Sequence, residues 1–180
     1  MITLNYTISE QEYKDFYYFM GWRSPARRSY RIRFFVKTFA AYLVFLLLLF
    51  YMKNFAIDLP AIIITLVVMT GLYFYSAFRV KRHYHNFGKK VFDESGNSPV
   101  EVSIGETGIF AKGQDGEANY KWSAFVKKFE ENNCYYLLMS SQLGIIIPQR
   151  VFRLQKEQEA FEKMLSEYLP LQADLPMITK

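Results

Sequence analysis

FFVKTFAAYLVFLLLLFYM (Phe34–Met52) and LPAIIITLVVMTGLYFYSAF (Leu59–Phe78) decide how this chain is built. At a rise of about 1.5 Å per helical residue each run reaches roughly 28 Å, close to the hydrocarbon thickness of a bilayer. The first run carries one charge, Lys37, a turn inside its start, where the stem can snorkel to the headgroups; the second carries none. Pro60 falls in the first turn of the second run, where a missing N–H costs little. Tyr51 marks one interface and Tyr73, Phe74 and Tyr75 the other, the aromatic belt of a spanning segment. Core helices of a soluble protein would show a polar face at this length, and neither run has one. The runs read as two transmembrane helices. Only Lys53–Asp58 separates them, so they form an antiparallel hairpin.

Working outward, the charge is arranged around this pair. Arg23, Arg27, Arg28, Arg31, Arg33 and Lys37 lead into the first run, and Arg79, Lys81, Arg82, Lys89 and Lys90 follow the second; neither 23–37 nor 79–90 holds an acidic residue. The connection is balanced by Lys53 and Asp58. The positive-inside rule therefore places both outer ends, and both termini, in the cytoplasm. The net charge of +5 belongs to these flanks, since 1–22 and 91–180 both lean acidic. A nucleic-acid binder spreads its cations over a folded face, so that class is set aside. Arg27, Arg28, Arg31, Arg33, Arg79, Lys81 and Arg82 are instead candidate contacts for anionic lipid headgroups. The single cysteine, Cys134, can form no internal disulfide, which suits a reducing compartment, and it opens an apolar run as a buried thiol would. No signal peptide is visible ahead of Phe34. The sequon Asn5-Tyr6-Thr7 would never meet the glycosylation machinery on a cytoplasmic segment and is taken as chance.

The rest reads as one small cytosolic domain of α+β class. Ile2, Leu4, Tyr6 and Ile8 alternate with polar residues, the pattern of a half-buried strand. Ser9 with Glu12 three positions on is a capping box, predicting a helix to about Met20 before Gly21 and Pro25 interrupt it. A lone strand is unstable, so this one needs a sheet elsewhere. Asp93–Pro99 is turn-rich and reads as a linker. Beyond it, short runs alternate with turn signals at Val100–Ile104, Gly108–Lys112, Glu117–Lys121, Val126–Glu130, Cys134–Met139 and Leu143–Ile147, predicting a six-strand antiparallel meander. Gln155–Tyr168 is an amphipathic helix with Phe161, Leu165 and Tyr168 on one face. Seven strands closed by one helix match a pleckstrin-homology-like barrel. The organisation is then 1–28 as an N-terminal strand and helix packing on the C-terminal domain, 29–92 as the hairpin, 99–169 as the cytosolic domain, and 170–180 as a tail.

Tyr120-Lys121-Trp122, a strand with Lys127 and Lys128, Tyr135-Tyr136-Leu137, Ile145-Ile146-Ile147-Pro148 and Arg150-Val151-Phe152 follow one another before the closing helix. In this order they resemble the YcxB-like family of small bacterial membrane proteins, most closely over Tyr120–Phe161. The resemblance implies a bacterial inner-membrane location and a small cytosolic β domain behind two spans. It implies no catalytic residue.

Reactive constellations are scarce. His83 and His85 form an H-x-H, but zinc asks for three or four ligands and nothing nearby completes the set, so the two read as a solvated interfacial pair beside Arg82. The glycines Gly105, Gly108, Gly113 and Gly116 sit in hairpin turns and open no helix as a phosphate loop would. No Ser/His/Asp set has a supporting motif. Trp122 reads as a structural anchor at a strand corner. Lys127 and Lys128 read as one inward stem and one solvated charge, or as a basic strand facing lipid. Arg150 and Arg153 read as framing the entry to the last helix. No metal or cofactor is expected. The expectation is a non-enzymatic, membrane-anchored module that binds protein or lipid at the cytoplasmic face, with anionic lipids and a protein partner or second copy as its company. Its rivals are a membrane immunity or stress protein neutralising a toxin or binding another membrane protein, and an accessory subunit of a channel or transporter.

Overall fold

The structure, a computed structural model, describes residues 2–52, 59–95, 98–113, 116–140 and 143–169. The chain divides into two units, Met1–Met20 with His85–Lys180, and Gly21–Tyr84.

The first unit is α+β, with two antiparallel sheets. Strand β1 (Ile2–Tyr6) buries Leu4 and Tyr6 on one face, as its alternation requires. It pairs antiparallel with β2 (Val100–Gly105), Leu4 opposite Val102, although the whole of 7–99 lies between them in sequence. β3 (Gly108–Gly113) and β4 (Gly116–Lys121) complete the sheet in the order β1-β2-β3-β4. The second sheet is β5 (Lys127–Glu131), β6 (Cys134–Leu138) and β7 (Gly144–Pro148) in sequence order. Asn132 and Asn133, with φ of 51° and 57°, make the two-residue turn between β5 and β6, the conformation that hairpin twist demands and asparagine tolerates.

The expected single meander is corrected here, because β4 and β5 do not pair and among the described residues no strand pairing closes a barrel. The break is the 3-10 turn Trp122–Ala124. Trp122 is buried and its indole Nε1 donates to the Gly105 carbonyl at 3.0 Å, while Phe125 is also buried. Anchoring two aromatics here takes the chain off the edge of the first sheet before β5 begins. The two sheets are tied elsewhere, by the Tyr6 hydroxyl donating to the Ile146 carbonyl at 2.7 Å.

β6 is buried along its whole length. Its side chains alternate between two cores. Tyr135 and Leu137 join Leu4, Val102, Ile104, Ile109 and Ile147 in one. Phe161 and Leu165 of helix α4 (Gln155–Tyr168) cap that core, both with no exposed surface. Cys134, Tyr136 and Leu138 face the other, which helix α1 (Glu10–Tyr18) and the π-helical turn after it fill with Phe16, Phe19 and Met20. α1 starts on the capping box: Ser9 Oγ accepts from the Glu12 N–H at 3.3 Å, and Glu12 Oε2 accepts from the Ser9 N–H at 2.7 Å.

Helices α2 (Arg28–Met52) and α3 (Leu59–Ser95) are the long ones. α3 runs 37 residues, through the basic flank and into the stretch read as linker, so a linker that begins at Asp93 is corrected. From His85 onward α3 belongs to the first unit, where Phe87 and Phe92 meet Tyr17 and Tyr13 edge to face at 5.0 and 5.8 Å. These aromatic contacts fix this end of α3 on α1 of the same unit. Among the described residues one helical stretch, Ile62–Glu94, is long and apolar enough to cross a membrane. Thr38–Met52 spans roughly 22 Å as helix. The connection Lys53–Asp58 that the hairpin reading relies on lies outside the described residues.

Candidate functional site

The second unit begins with a knot of aromatic rings. Trp22 is 7% exposed, boxed edge-on by Tyr30, Phe34 and Phe35 at 6.1, 5.4 and 6.0 Å. Arg31 ties the knot to α2, its Nη1 donating to the carbonyls of Trp22 and, at 2.9 Å, Ser24. The sequence read Arg31 only as a headgroup contact; it is half-buried and structural as well. The stack continues from Phe35 to Tyr73 of α3 at 5.3 Å, joining the two helices.

Around this knot the remaining flanking cations stay in solvent. Arg28, Arg33, Arg79, Lys81 and Arg82 are exposed and Arg27 is half-buried. Among the described residues no carboxylate lies within ion-pair distance of any of these six. Exposed guanidinium and ammonium groups of this kind are suited to anionic oxygens.

The apolar residues of α2 and α3 are exposed too. Phe45, Leu48, Leu66, Val67 and Phe74 are between 55% and 66% exposed, and the neighbouring positions of both helices resemble them. Among the described residues, no part of the unit covers these faces.

Lys127 and Lys128 lie in the first unit, on β5, and both are half-buried. Lys127 sits over the Phe129 ring at 5.1 Å, and Lys128 acts electrostatically on Glu162. β5 is an edge strand, and Lys127 shares its face with Phe129, which packs against the second core. Trp122 stacks on Tyr168 of α4 at 5.4 Å with the rings 10° apart, so it joins the strand corner to the last helix.

The two histidines fall apart. Positions two apart on a helix point to different sides. His83 is exposed beside Tyr84 in one unit; His85 is half-buried in the other, edge-on to Tyr18 at 5.7 Å, its Nε2 3.8 Å from Asp15 Oδ1. His85 is therefore not the solvated residue expected. Among the described residues no group of three or more His, Cys, Asp or Glu side chains could hold a metal ion.

Sequence reasoning missed one junction. Arg150 follows β7 and reaches back to α1, its Nε and Nη2 donating to the two Glu12 carboxylate oxygens at 2.8 and 2.9 Å, and Nη2 also to the Thr7 carbonyl at 2.7 Å. Burial pushes the Glu12 carboxyl up, but the Arg150 and Ser9 hydrogen bonds together hold it below its ordinary value. Burial pushes the Cys134 thiol up to about 12, with the Glu12 and Asp15 carboxylates adding to it. A second network joins β6 to α4, with the Tyr135 hydroxyl on Glu162 and Gln158 Nε2 donating to Tyr135 at 2.8 Å. The capping-box signal located Glu12; that it serves two partners shows only in three dimensions.

No curated protein and no solved structure matches the chain. A family model described as YcxB-like protein matches residues 104–165, the stretch from the end of β2 to Leu165 of α4. Over those residues, about a third of its length, the chain is similar to the YcxB-like family.

Proposed function

We propose that this is a non-enzymatic, membrane-anchored interaction module of the bacterial inner membrane. α2 and the apolar part of α3 cross the bilayer as a hairpin, both ends of the chain lie in the cytoplasm, and the β domain binds protein or lipid there. The observation that carries the reading is the exposed apolar surface of both helices, with Phe45, Leu66 and Phe74 as examples at 55%, 62% and 65% exposed. Water cannot stabilise so much contiguous apolar surface, and a bilayer can. The exposed cations Arg28, Arg33, Arg79, Lys81 and Arg82 supply the charge bias that would fix the orientation. Four strands and three strands with a C-terminal helix are the parts of a pleckstrin-homology-like domain, and that likeness supports a binding role.

Two fusions test the topology. A reporter that folds only in the cytoplasm should be active after Lys180, and one active only outside it should be active when inserted between Lys53 and Asp58. The reverse pattern, or release of the chain from membranes by alkaline carbonate, would overturn the proposal. Purification in mild detergent with partner and lipid identification then separates protein binding from lipid binding.

A further inference from the structure

One face of α2 lines a groove of about 760 Å³, with Met69 of α3 opposite. Its lining recurs three and four positions apart, the spacing of a single helix face: Arg28 and Arg31 at one end, then Phe35, Phe39 and Leu43. The groove is cationic at its mouth and apolar along the rest. From Ile32 to Leu43 the apolar part extends roughly 16 Å along the helix. Arg31 is already oriented there by the Trp22 and Ser24 carbonyls, and Arg28 is exposed.

We infer that this groove is a binding site for an anionic glycerophospholipid, whose phosphate meets Arg28 and Arg31 and whose acyl chain lies along Phe35, Phe39 and Leu43 against Met69. The charge pattern selects the occupant. A second copy of the chain docking the same face in the same orientation would set its own Arg28 and Arg31 against these, and like charges repel. A zwitterionic lipid fills the apolar part but brings a cation to the mouth. An anionic amphiphile satisfies both ends at once. The site differs from general attraction of basic flanks to a charged surface, because it requires one helix face and one groove. The inference rests on the membrane reading proposed above.

The test uses the full chain in dodecylmaltoside, incubated with equal amounts of phosphatidylglycerol and phosphatidylcholine and separated by size exclusion. Retained lipid per protein is read by mass spectrometry. The wild type should retain phosphatidylglycerol about fivefold over phosphatidylcholine, the scale of one basic residue at a membrane surface. Arg28→Glu should abolish that preference. Lys156→Glu, an equal charge change on an exposed α4 residue outside the groove, should keep it within about twofold. Ala40→Trp, which adds bulk to the groove lining, should reduce retention of both lipids. Should Ala40→Trp aggregate, the comparison of Arg28→Glu with Lys156→Glu still decides. Equal retention of both lipids by the wild type, or equal losses from the two charge reversals, would overturn the site while leaving the membrane reading intact. Release of the chain from membranes by carbonate would overturn both.

Discussion

Arg150 binds Glu12 with two nitrogens on two oxygens, across 138 residues of sequence. Through it the segment after β7 grips the first turn of α1, which precedes the inserted helices in the chain. Glu12 is only 15% exposed and Arg150 about half exposed, so solvent screens the pair on one side. Coupling of about 1 kcal/mol is expected, at the upper end for partly exposed pairs because the contact is bidentate. A double-mutant cycle of Glu12→Gln and Arg150→Ala, read by thermal unfolding in detergent, measures it. Arg150→Ala should be the costlier single change, since it also strips the donor from the Thr7 carbonyl. Coupling indistinguishable from zero would mean that the pair contributes nothing to holding α1.

The same carboxylate sets a pH dependence. Glu12 is held below its ordinary value of 4.5 in the folded protein. A depressed carboxyl contributes its stability in full above the unfolded value and loses it as pH falls through the folded one. The stability gap between wild type and Glu12→Gln should therefore be open at neutral pH and close on acidification below about 4.5. Unfolding midpoints across that range check it, and a gap that widens in acid would contradict the assignment.

These contacts show where sequence reading ran out. β1, the capping box and the strands from Val100 onward were legible because period-two alternation and turn residues are local signals. The boundary at Ser9 was legible for the same reason. Three features depend on partners far away in the chain. α3 continues past Phe78 because Tyr13 and Tyr17 offer aromatic partners to Phe92 and Phe87. The sheet divides after β4 because Gly105 offers Trp122 a carbonyl. Arg150, read as a helix-entry residue, turns away to Glu12. The basic flanks were found from composition, but the sorting of Arg31 into a structural role and Arg28 into an exposed one needed the Trp22 knot.

Gly88 marks where α3 comes closest to α1. A Cβ there would stand 2.8 Å from Lys14 Cα and 3.0 Å from its backbone nitrogen. Alanine in a helix interior ordinarily gains about 1 kcal/mol over glycine. Here backbone must move, so Gly88→Ala should instead destabilise by about 1–3 kcal/mol, the scale of overpacking. Gly71→Ala, with nothing within 4 Å of its Cβ, is the control and should be neutral or stabilising. Proteolysis of the α1 segment should accelerate in Gly88→Ala alone. Equal behaviour of the two variants would mean that α1 and α3 are not in close contact.

Trp122 separates what a buried aromatic does by volume from what it does by one hydrogen bond. Its ring lies against Tyr168 and near Phe125, and its Nε1 donates to the Gly105 carbonyl at 3.0 Å. Trp122→Phe keeps most of the packing but leaves that carbonyl without its donor, a loss of about 1–2 kcal/mol. Trp122→Ala removes the ring as well and should cost about 3–5 kcal/mol. Circular dichroism melts of the full chain give the order. Because α4 meets the turn through Tyr168, Tyr168→Ala should destabilise the wild type but add little to Trp122→Ala, whose stacking partner is already gone. Full additivity of those two changes would show that the stack does not join the strand corner to α4. A Trp122→Phe variant as unstable as Trp122→Ala would place the anchoring in the Gly105 hydrogen bond rather than in the ring.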